Sequence, residues 1–126
     1  MANELITFNK QCGRNTRDDY TLQFSNSKFG GLLTATTEVT VTAPSGQGEG
    51  SSPFAKKQVM AVIKATPGKT VWVSVNATAT VPSTSGAINE EMIEPKMCRA
   101  VFEGDVLHFI TGDTGAFYGV VFYALD

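Results

Sequence analysis

The chain reads KQVMAVIKATPGKTVWVSVN from Lys57 to Asn76, and this stretch decides the fold class. Val59–Ile63 is a continuous apolar run with the length of a buried strand. Thr66–Lys69 has proline and glycine at the positions that a β-turn requires. Thr70–Asn76 follows at once and is rich in valine, which favours a pleated strand. We therefore predict two antiparallel strands joined as a hairpin.

The same kind of pattern extends outward on both sides. Glu38–Thr42 alternates with period two, as a half-buried strand does. Further strands are predicted, with turns between them, over residues 96–102, 106–111 and 117–125. Glu90–Glu94 can start one helical turn before Pro95 ends it. About seven or eight short strands at this spacing indicate an all-β, antiparallel β-sandwich. The long loops at 44–53 and 82–89 favour crossings between two sheets, and so a jelly-roll-like arrangement.

Residues 1–35 differ from the rest, and we predict an extended N-terminal arm there, with the β-sandwich domain over residues 36–126. Tyr20–Phe24 alternates and suits a short strand. The rest of the segment has no sustained period, and asparagines and glycines, including Gly30-Gly31, punctuate it. Its isolated apolar side chains need a surface to pack against, either the chain's own sheet or a neighbouring subunit.

Composition and charge exclude several classes. Of the 126 residues, 17% are charged and the net charge is −2. The net charge is +1 over residues 1–36, +2 over 37–81 and −5 over 82–126, so there is no dense cationic stripe for nucleic acid. Such a charge split can orient copies head to tail or against a basic partner, or it can be an uneven scatter of solvated charges. There is no signal-peptide pattern and no apolar run long enough to span a membrane, so we expect synthesis in a cytoplasm.

No pattern of catalytic, cofactor-binding or metal-binding residues stands out. His108 is the only histidine, so a metal site there lacks a second imidazole. A Cys98–His108 nucleophile pair is conceivable, but a structural thiol is the more common role. The acidic residues between Glu90 and Asp113 could supply a glycosidase pair, but clustered acids beside loops are more often solvated turns, and no EF-hand spacing is present. We therefore expect no enzyme activity, no cofactor and no metal.

The closing strand carries aromatic residues on both faces. Tyr118 and Phe122 share one face, whereas Phe117 and Tyr123 lie on the other. Such a strand usually has the core on one side and a subunit interface on the other. The alternative is a carbohydrate-binding platform that uses Trp72 or Tyr118.

The overall pattern resembles the small capsid decoration, or cement, proteins of tailed bacteriophages. The resemblance rests on the signal-free start, the arm, the Gly/Ser loop at residues 45–52, and the short strands of Thr70–Thr80 and Lys96–Leu125. It implies a non-enzymatic virion protein on the capsid exterior that bridges major capsid protein subunits, as a homo-oligomer, either dimer or trimer. A carbohydrate-binding or head-fibre receptor-recognition module is the alternative. The side chains assigned to protein interfaces are Leu5, Ile6, Phe8, Tyr20, Phe24, Phe29, Tyr118 and Phe122.

Overall fold

The computed structural model describes residues 25–45, 57–82, 88–94 and 96–124. These residues form eight strands and no helix: β1 Lys28–Leu32, β2 Val39–Thr42, β3 Gln58–Ala65, β4 Val71–Val75, β5 Glu91–Met92, β6 Lys96–Phe102, β7 Val106–Thr111 and β8 Phe117–Ala124. They make two antiparallel four-stranded sheets, ordered β1-β8-β3-β6 in sheet A and β2-β7-β4-β5 in sheet B. The predicted all-β class is confirmed, and the sheets form a β-sandwich.

The strand pairs are nested about the middle of the chain. β1 pairs with β8, β2 with β7, β3 with β6 and β4 with β5. The β3–β8 and β4–β7 pairs then join these couples into the two sheets. The chain thus folds like one long hairpin of paired strands. Successive strand pairs lie alternately in sheet A and in sheet B.

The core lies between the sheets. Because side chains alternate along a strand, every second side chain points into it. Sheet A contributes Val59, Ile63 and Phe122, and sheet B contributes Val73 and Leu107, all of them buried. Burying an aliphatic or phenyl side chain of this size contributes about 1.5–3 kcal/mol. The Phe109 ring of sheet B stacks on the Tyr118 ring of sheet A, with centroids 4.8 Å apart. This stack ties the two sheets together.

The predicted hairpin over residues 57–76 is wrong, although both strands and the turn between them form. β3 lies in sheet A and β4 in sheet B. Gly68 has the positive φ of 83° that the turn needs, but the turn bonds to the β7–β8 connection. Phe117 N donates to Thr66 Oγ1 at 2.7 Å, and Thr70 N donates to Asp113 Oδ2 at 2.7 Å. Both strands have an apolar face. Each strand therefore buries more apolar surface by facing the other across the core than by pairing with it edge to edge.

The arm boundary predicted at residue 35 falls inside the fold. β1 is an edge strand of sheet A, and its residues pair with β8 from Lys28–Val121 to Leu32–Phe117. Leu33 is fully buried in the core. The remainder of the predicted arm, residues 1–24, lies outside the described residues, and so do the Tyr20–Phe24 strand and the Gly/Ser loop.

Two local predictions also need correction. The predicted helical turn at Glu90–Glu94 is instead the two-residue strand β5, which pairs with β4. Gly30 and Gly31 were predicted as punctuation but lie within β1. The β1–β8 register is unbroken at Gly119, which lies opposite Gly30. A Cβ on Gly30 would stand 2.8 Å from Tyr118 O, so the two backbones approach closely there.

Candidate interaction surface

The two faces of β8 divide between the core and the outside. Phe122 is fully buried in the core, and Tyr118 packs against the same cluster. Both are predicted above to be interface residues. The structure instead places them in or against the core, because the alternation along β8 points their side chains toward sheet B. Phe29 remains exposed by 46%, with its ring edge-on to Phe122 at a centroid distance of 6.0 Å. The exposed aromatic residue of β8 itself is Phe117.

The residues of sheet A whose side chains point away from sheet B form a continuous outer surface, which we call the sheet A face. Cross-strand register places residues from all four strands of sheet A on it. The members are Lys28, Gly30, Leu32, Gln58, Met60, Val62, Lys64, Lys96, Cys98, Ala100, Phe102, Phe117, Gly119, Val121 and Tyr123. Most of these side chains are apolar; Leu32, Phe102 and Phe117 are exposed, whereas Val62 and Tyr123 are buried.

The most exposed apolar side chains of this face are neighbours. Leu32 and Phe117 are directly opposite each other in the β1–β8 register and are 61% and 54% exposed. Beside them, Gly30 and Gly119 present no side chain. Further along β8, Tyr123 is buried although it points away from the core, and this desolvation raises the pKa of its phenol.

The charges on the sheet A face all have one sign. Lys28, Lys64 and Lys96 belong to it, and none of its strand residues is a carboxylate. Lys64 and Lys96 lie directly opposite each other on β3 and β6. Like charges in this position are destabilising, so the arrangement does not serve the fold. It suits a partner that carries acidic groups around an apolar patch.

The outer face of sheet B is different, because residues 76–82 of the same chain fold back over it. Ala79 N donates to Glu38 Oε2 at 2.6 Å, and Thr80 N donates to Glu90 Oε2 at 2.8 Å. The Ser74 hydroxyl donates to Ala77 O. Ala79 is buried as a result. This face is therefore partly covered by the chain itself.

His108 lies under this segment, beside Glu38. His108 Nδ1 is 3.0 Å from Glu38 Oε2, close enough for an ion pair when the imidazole is protonated, but without hydrogen-bond alignment. The bond from Ala79 N is the main cause that lowers the pKa of Glu38 below its ordinary value of 4.5; desolvation opposes it, and His108 adds to it. Through its bond from Ala79 N, Glu38 ties residues 76–82 to sheet B.

The other candidate pairs of the sequence do not come together. Cys98 belongs to the sheet A face and His108 to the outer face of sheet B, so the sandwich separates the thiol from the imidazole. Tyr118 is stacked in the core on Phe109, which removes it from a carbohydrate platform. Trp72 is half-buried opposite Met92. The predicted interface residues Leu5, Ile6, Phe8, Tyr20 and Phe24 lie outside the described residues.

Comparison with known proteins does not identify the chain: no family model, curated protein or solved structure matches it. Within residues 25–45, 57–82, 88–94 and 96–124, no three His, Cys, Asp or Glu side chains are grouped so that they could hold a metal ion. Across those ranges no helix is long and apolar enough to cross a membrane. The geometry of the sheet A face is therefore the basis on which function can be argued.

The lysine pair could not be found from sequence alone. Parity within each strand assigns Lys64 to the side of Met60 and Lys96 to the side of Cys98. Only the β3–β6 register shows that the two sides are one face and that the two ammonium groups are neighbours.

Proposed function

We propose that the chain is a structural virion protein, a decoration protein that binds the outside of an icosahedral phage capsid and stabilises it by bridging major capsid protein subunits. In this proposal it is made in the host cytoplasm, acts as a homo-oligomer and has no enzymatic role. The apolar residues assigned to the predicted arm then lie on capsid or on a neighbouring copy: Leu5, Ile6, Phe8, Tyr20, Phe24 and Phe29.

The sheet A face is the observation that carries the proposal. It combines exposed Leu32 and Phe117 with three lysines and no carboxylate among its strand residues. An exposed apolar patch on a small domain marks an interaction site, and charges of one sign select a complementary partner. A shell protein that presents an apolar patch with acidic groups at its rim fits this face.

The strand order supports a jelly-roll form of the sandwich, which we also propose. Eight strands are nested in four antiparallel couples that alternate between two sheets. Jelly rolls have eight strands in two sheets and occur in viral capsid and lectin domains. This topology raises the expectation of a capsid role, but one fold hosts many functions. The specific argument for capsid binding therefore comes from the sheet A face.

Shell stabilisation then follows from binding linkage. A protein that binds the assembled shell but not its separated subunits stabilises the shell by mass action. Many copies on one shell make the attachment multivalent, so that modest individual contacts hold firmly. No reaction at the site is needed.

The experiment is co-sedimentation with purified heads of the phage that encodes the chain, stripped of this protein. We expect the wild-type protein to sediment with the heads and the Lys64→Glu/Lys96→Glu variant to remain in the supernatant. Lys57→Glu/Lys69→Glu is the matched control, since it makes the same change of net charge on exposed residues outside the sheet A face.

Equal sedimentation of both charge-reversal variants would overturn the assignment of the face. Failure of the wild-type protein to bind heads would overturn the function. Binding by the wild type should also weaken as salt is raised, because exposed ion pairs are screened.

A further inference from the structure

The outer face of sheet B carries apolar side chains that are largely shielded from solvent. Alternation along the strands places Trp72 and Ser74 of β4 on this face, together with His108 and Ile110 of β7. Trp72 and Ile110 lie directly opposite each other. Ile110 is outside the core cluster and points away from it, yet it is only 4% exposed. A part of the chain therefore covers this face from the outside.

The cover is formed by residues 77–82, which we call the sheet B strap. Ala79, near the middle of the strap, is only 2% exposed. At the first end of the strap, the Ser74 hydroxyl donates to Ala77 O. Near the other end, a Cβ on Gly112 would stand 3.5 Å from Val81 Cγ1, so the strap also lies against the connection between β7 and β8.

Two carboxylates hold the middle of the strap. Glu38 directly precedes β2 and Glu90 directly precedes β5, which are the two edge strands of sheet B. Glu38 Oε2 accepts from Ala79 N at 2.6 Å, and Glu90 Oε2 accepts from the next amide, Thr80 N, at 2.8 Å. Glu90 is itself buried. The strap is thus fastened from both edges of the sheet by side chains, and it is not paired as a strand.

The strength of this fastening depends on the charge of the two carboxylates. A hydrogen bond to an ionised acceptor is roughly twice as strong as one to a neutral acceptor. The bond from Ala79 N is the largest cause that holds the pKa of Glu38 below its ordinary 4.5. By linkage, the closed strap favours the ionised Glu38, and protonation of Glu38 favours the open strap. The hold of Glu38 is complete above about pH 4.5 and is lost as the pH falls through its lowered pKa.

His108 is the titratable group that faces Glu38 from β7. Its Nδ1 atom is 3.0 Å from Glu38 Oε2, and positive charge on the imidazole favours the ionised carboxylate. The strap itself, ATATVP, has no titratable side chain, and the outward side chains of β4 are uncharged. Glu90 Oε2 faces the amide and the hydroxyl of Thr80. His108 therefore moves release of the strap to a more acid pH.

The strap begins directly after a fixed residue. Asn76 N donates to Val106 O at 2.8 Å, and Val106 N donates back to Asn76 Oδ1 at 2.9 Å. Asn76 has a φ of 58°, which turns the chain out of β4. Because these bonds and the β4–β7 pairs lie outside the strap, residues 77–82 can leave the face without breaking the sheet.

We propose that the sheet B strap is an acid-released cover. When Glu38 and Glu90 lose their charge, residues 77–82 lift off as a unit and expose Trp72 and Ile110, while both sheets stay folded. Local opening of this kind is expected of a segment that few main-chain bonds hold. The protein then has an apolar surface on sheet B that is closed at neutral pH and open in acid. This inference does not depend on the proposed function.

Amide hydrogen exchange measured by NMR, expressed as protection factors, tests the opening. Ala79 and Thr80 should be protected at pH 7. Their protection should fall by about tenfold or more on acidification to pH 3.5, because each amide loses a bond to a charged acceptor, while the amides of β7 remain protected. The fluorescence of Trp72, the single tryptophan of the chain, should change over the same pH range.

Charge-removing variants make the same test at pH 7, without acid. Glu38→Gln and Glu90→Gln each weaken one bond, and because the strap opens as a unit, each should lower the protection of both Ala79 and Thr80. Glu94→Gln makes the same change of charge on an exposed side chain and should lower neither. His108→Phe keeps a ring but removes its charge, so the acid release should move to a higher pH.

The inference is overturned if Ala79 and Thr80 keep their protection in acid, or if the β7 amides lose theirs together with the strap. It is also overturned if both glutamine variants match Glu94→Gln at pH 7. A loss confined to the one amide bonded to the altered carboxylate would show two independent bonds and would overturn the opening as a unit. An unchanged release pH in His108→Phe would overturn the part given to His108.

Discussion

Lys64 and Lys96 lie directly opposite each other on β3 and β6, with both side chains on the sheet A face. Two like charges in this position cost the folded state on the order of 0.2–1 kcal/mol. A surface that needed only to be soluble would gain by placing a carboxylate at one of the two positions. In the proposed function, this pair faces acidic groups of the capsid.

Replacing one of these lysines should improve the fold and weaken binding. Lys96→Glu turns the repulsive pair into an attractive one, and we expect the free energy of unfolding to rise by up to about 1 kcal/mol. The same variant should bind purified heads more weakly. Urea unfolding and co-sedimentation measure the two effects, with Lys69→Glu, in the exposed β3–β4 turn, as the control. A variant that loses stability and binds as wild type does would contradict this account.

The two faces of β8 should respond oppositely to truncation. Phe122→Ala removes a fully buried ring and should lower the free energy of unfolding by about 3–5 kcal/mol. Phe117→Ala removes an exposed ring, and the expected change in stability is within about 0.5 kcal/mol.

Binding to heads gives the second readout for this pair. Phe117→Ala should reduce head binding while the protein remains folded, as monitored by circular dichroism. If Phe117→Ala left head binding unchanged, the apolar part of the sheet A face would have no role in it.

The adjacent glycines of β1 offer a matched test of the close approach to β8. A Cβ at residue 30 would meet Tyr118 O at 2.8 Å, a backbone atom that cannot turn away. Gly30→Ala should therefore cost about 1–3 kcal/mol of the free energy of unfolding, measured in urea.

Gly31→Ala is the control for that test. Its Cβ would lie 4.0 Å from the Tyr118 ring, an ordinary contact, and the loss of glycine freedom in the unfolded chain should make the change neutral or slightly stabilising. Equal destabilisation by the two variants would show that β1 is not held against β8 as described.

Acid should loosen the segment over sheet B through Glu38. Its pKa is lower in the folded protein than the ordinary 4.5, so the unfolded chain binds the proton more readily. The stabilisation is complete above about pH 4.5 and is lost as the pH falls through the lowered pKa of the folded state.

Glu38→Gln keeps an acceptor for Ala79 N but removes the charge. The melting temperature of this variant should lie below that of wild type at neutral pH, and the gap should close on acidification. Glu94→Gln changes the net charge equally on an exposed side chain and serves as the control. A gap between Glu38→Gln and wild type that stays constant from pH 7 to pH 3 would contradict the role of the Glu38 carboxylate.

The strands themselves could be predicted because alternation is a local signal. β2, β6, β7 and β8 fall within one or two residues of the predicted strands. What could not be predicted is which strands pair. The Thr66–Lys69 turn has the right chemistry to reverse the chain, but whether it joins paired strands or passes from one sheet to the other depends on the nested order of the whole chain.

The interface residues show the same limit. Parity correctly separated Tyr118 and Phe122 from Phe117 and Tyr123, but it did not show which pair faces inward. One signal was present: Gly119 shares the parity of Phe117, and a core face seldom gives up a side chain at its centre. The lysine pair needed the β3–β6 register, which no pattern within one strand contains.

The most direct test of the central claim is a cryo-electron microscopy reconstruction of purified heads incubated with the protein. We expect added density on the outside of the shell, with the sheet A face against the major capsid protein and Lys64 and Lys96 near carboxylates of that partner. Heads without added density, or density that contacts the shell through the outer face of sheet B, would contradict it.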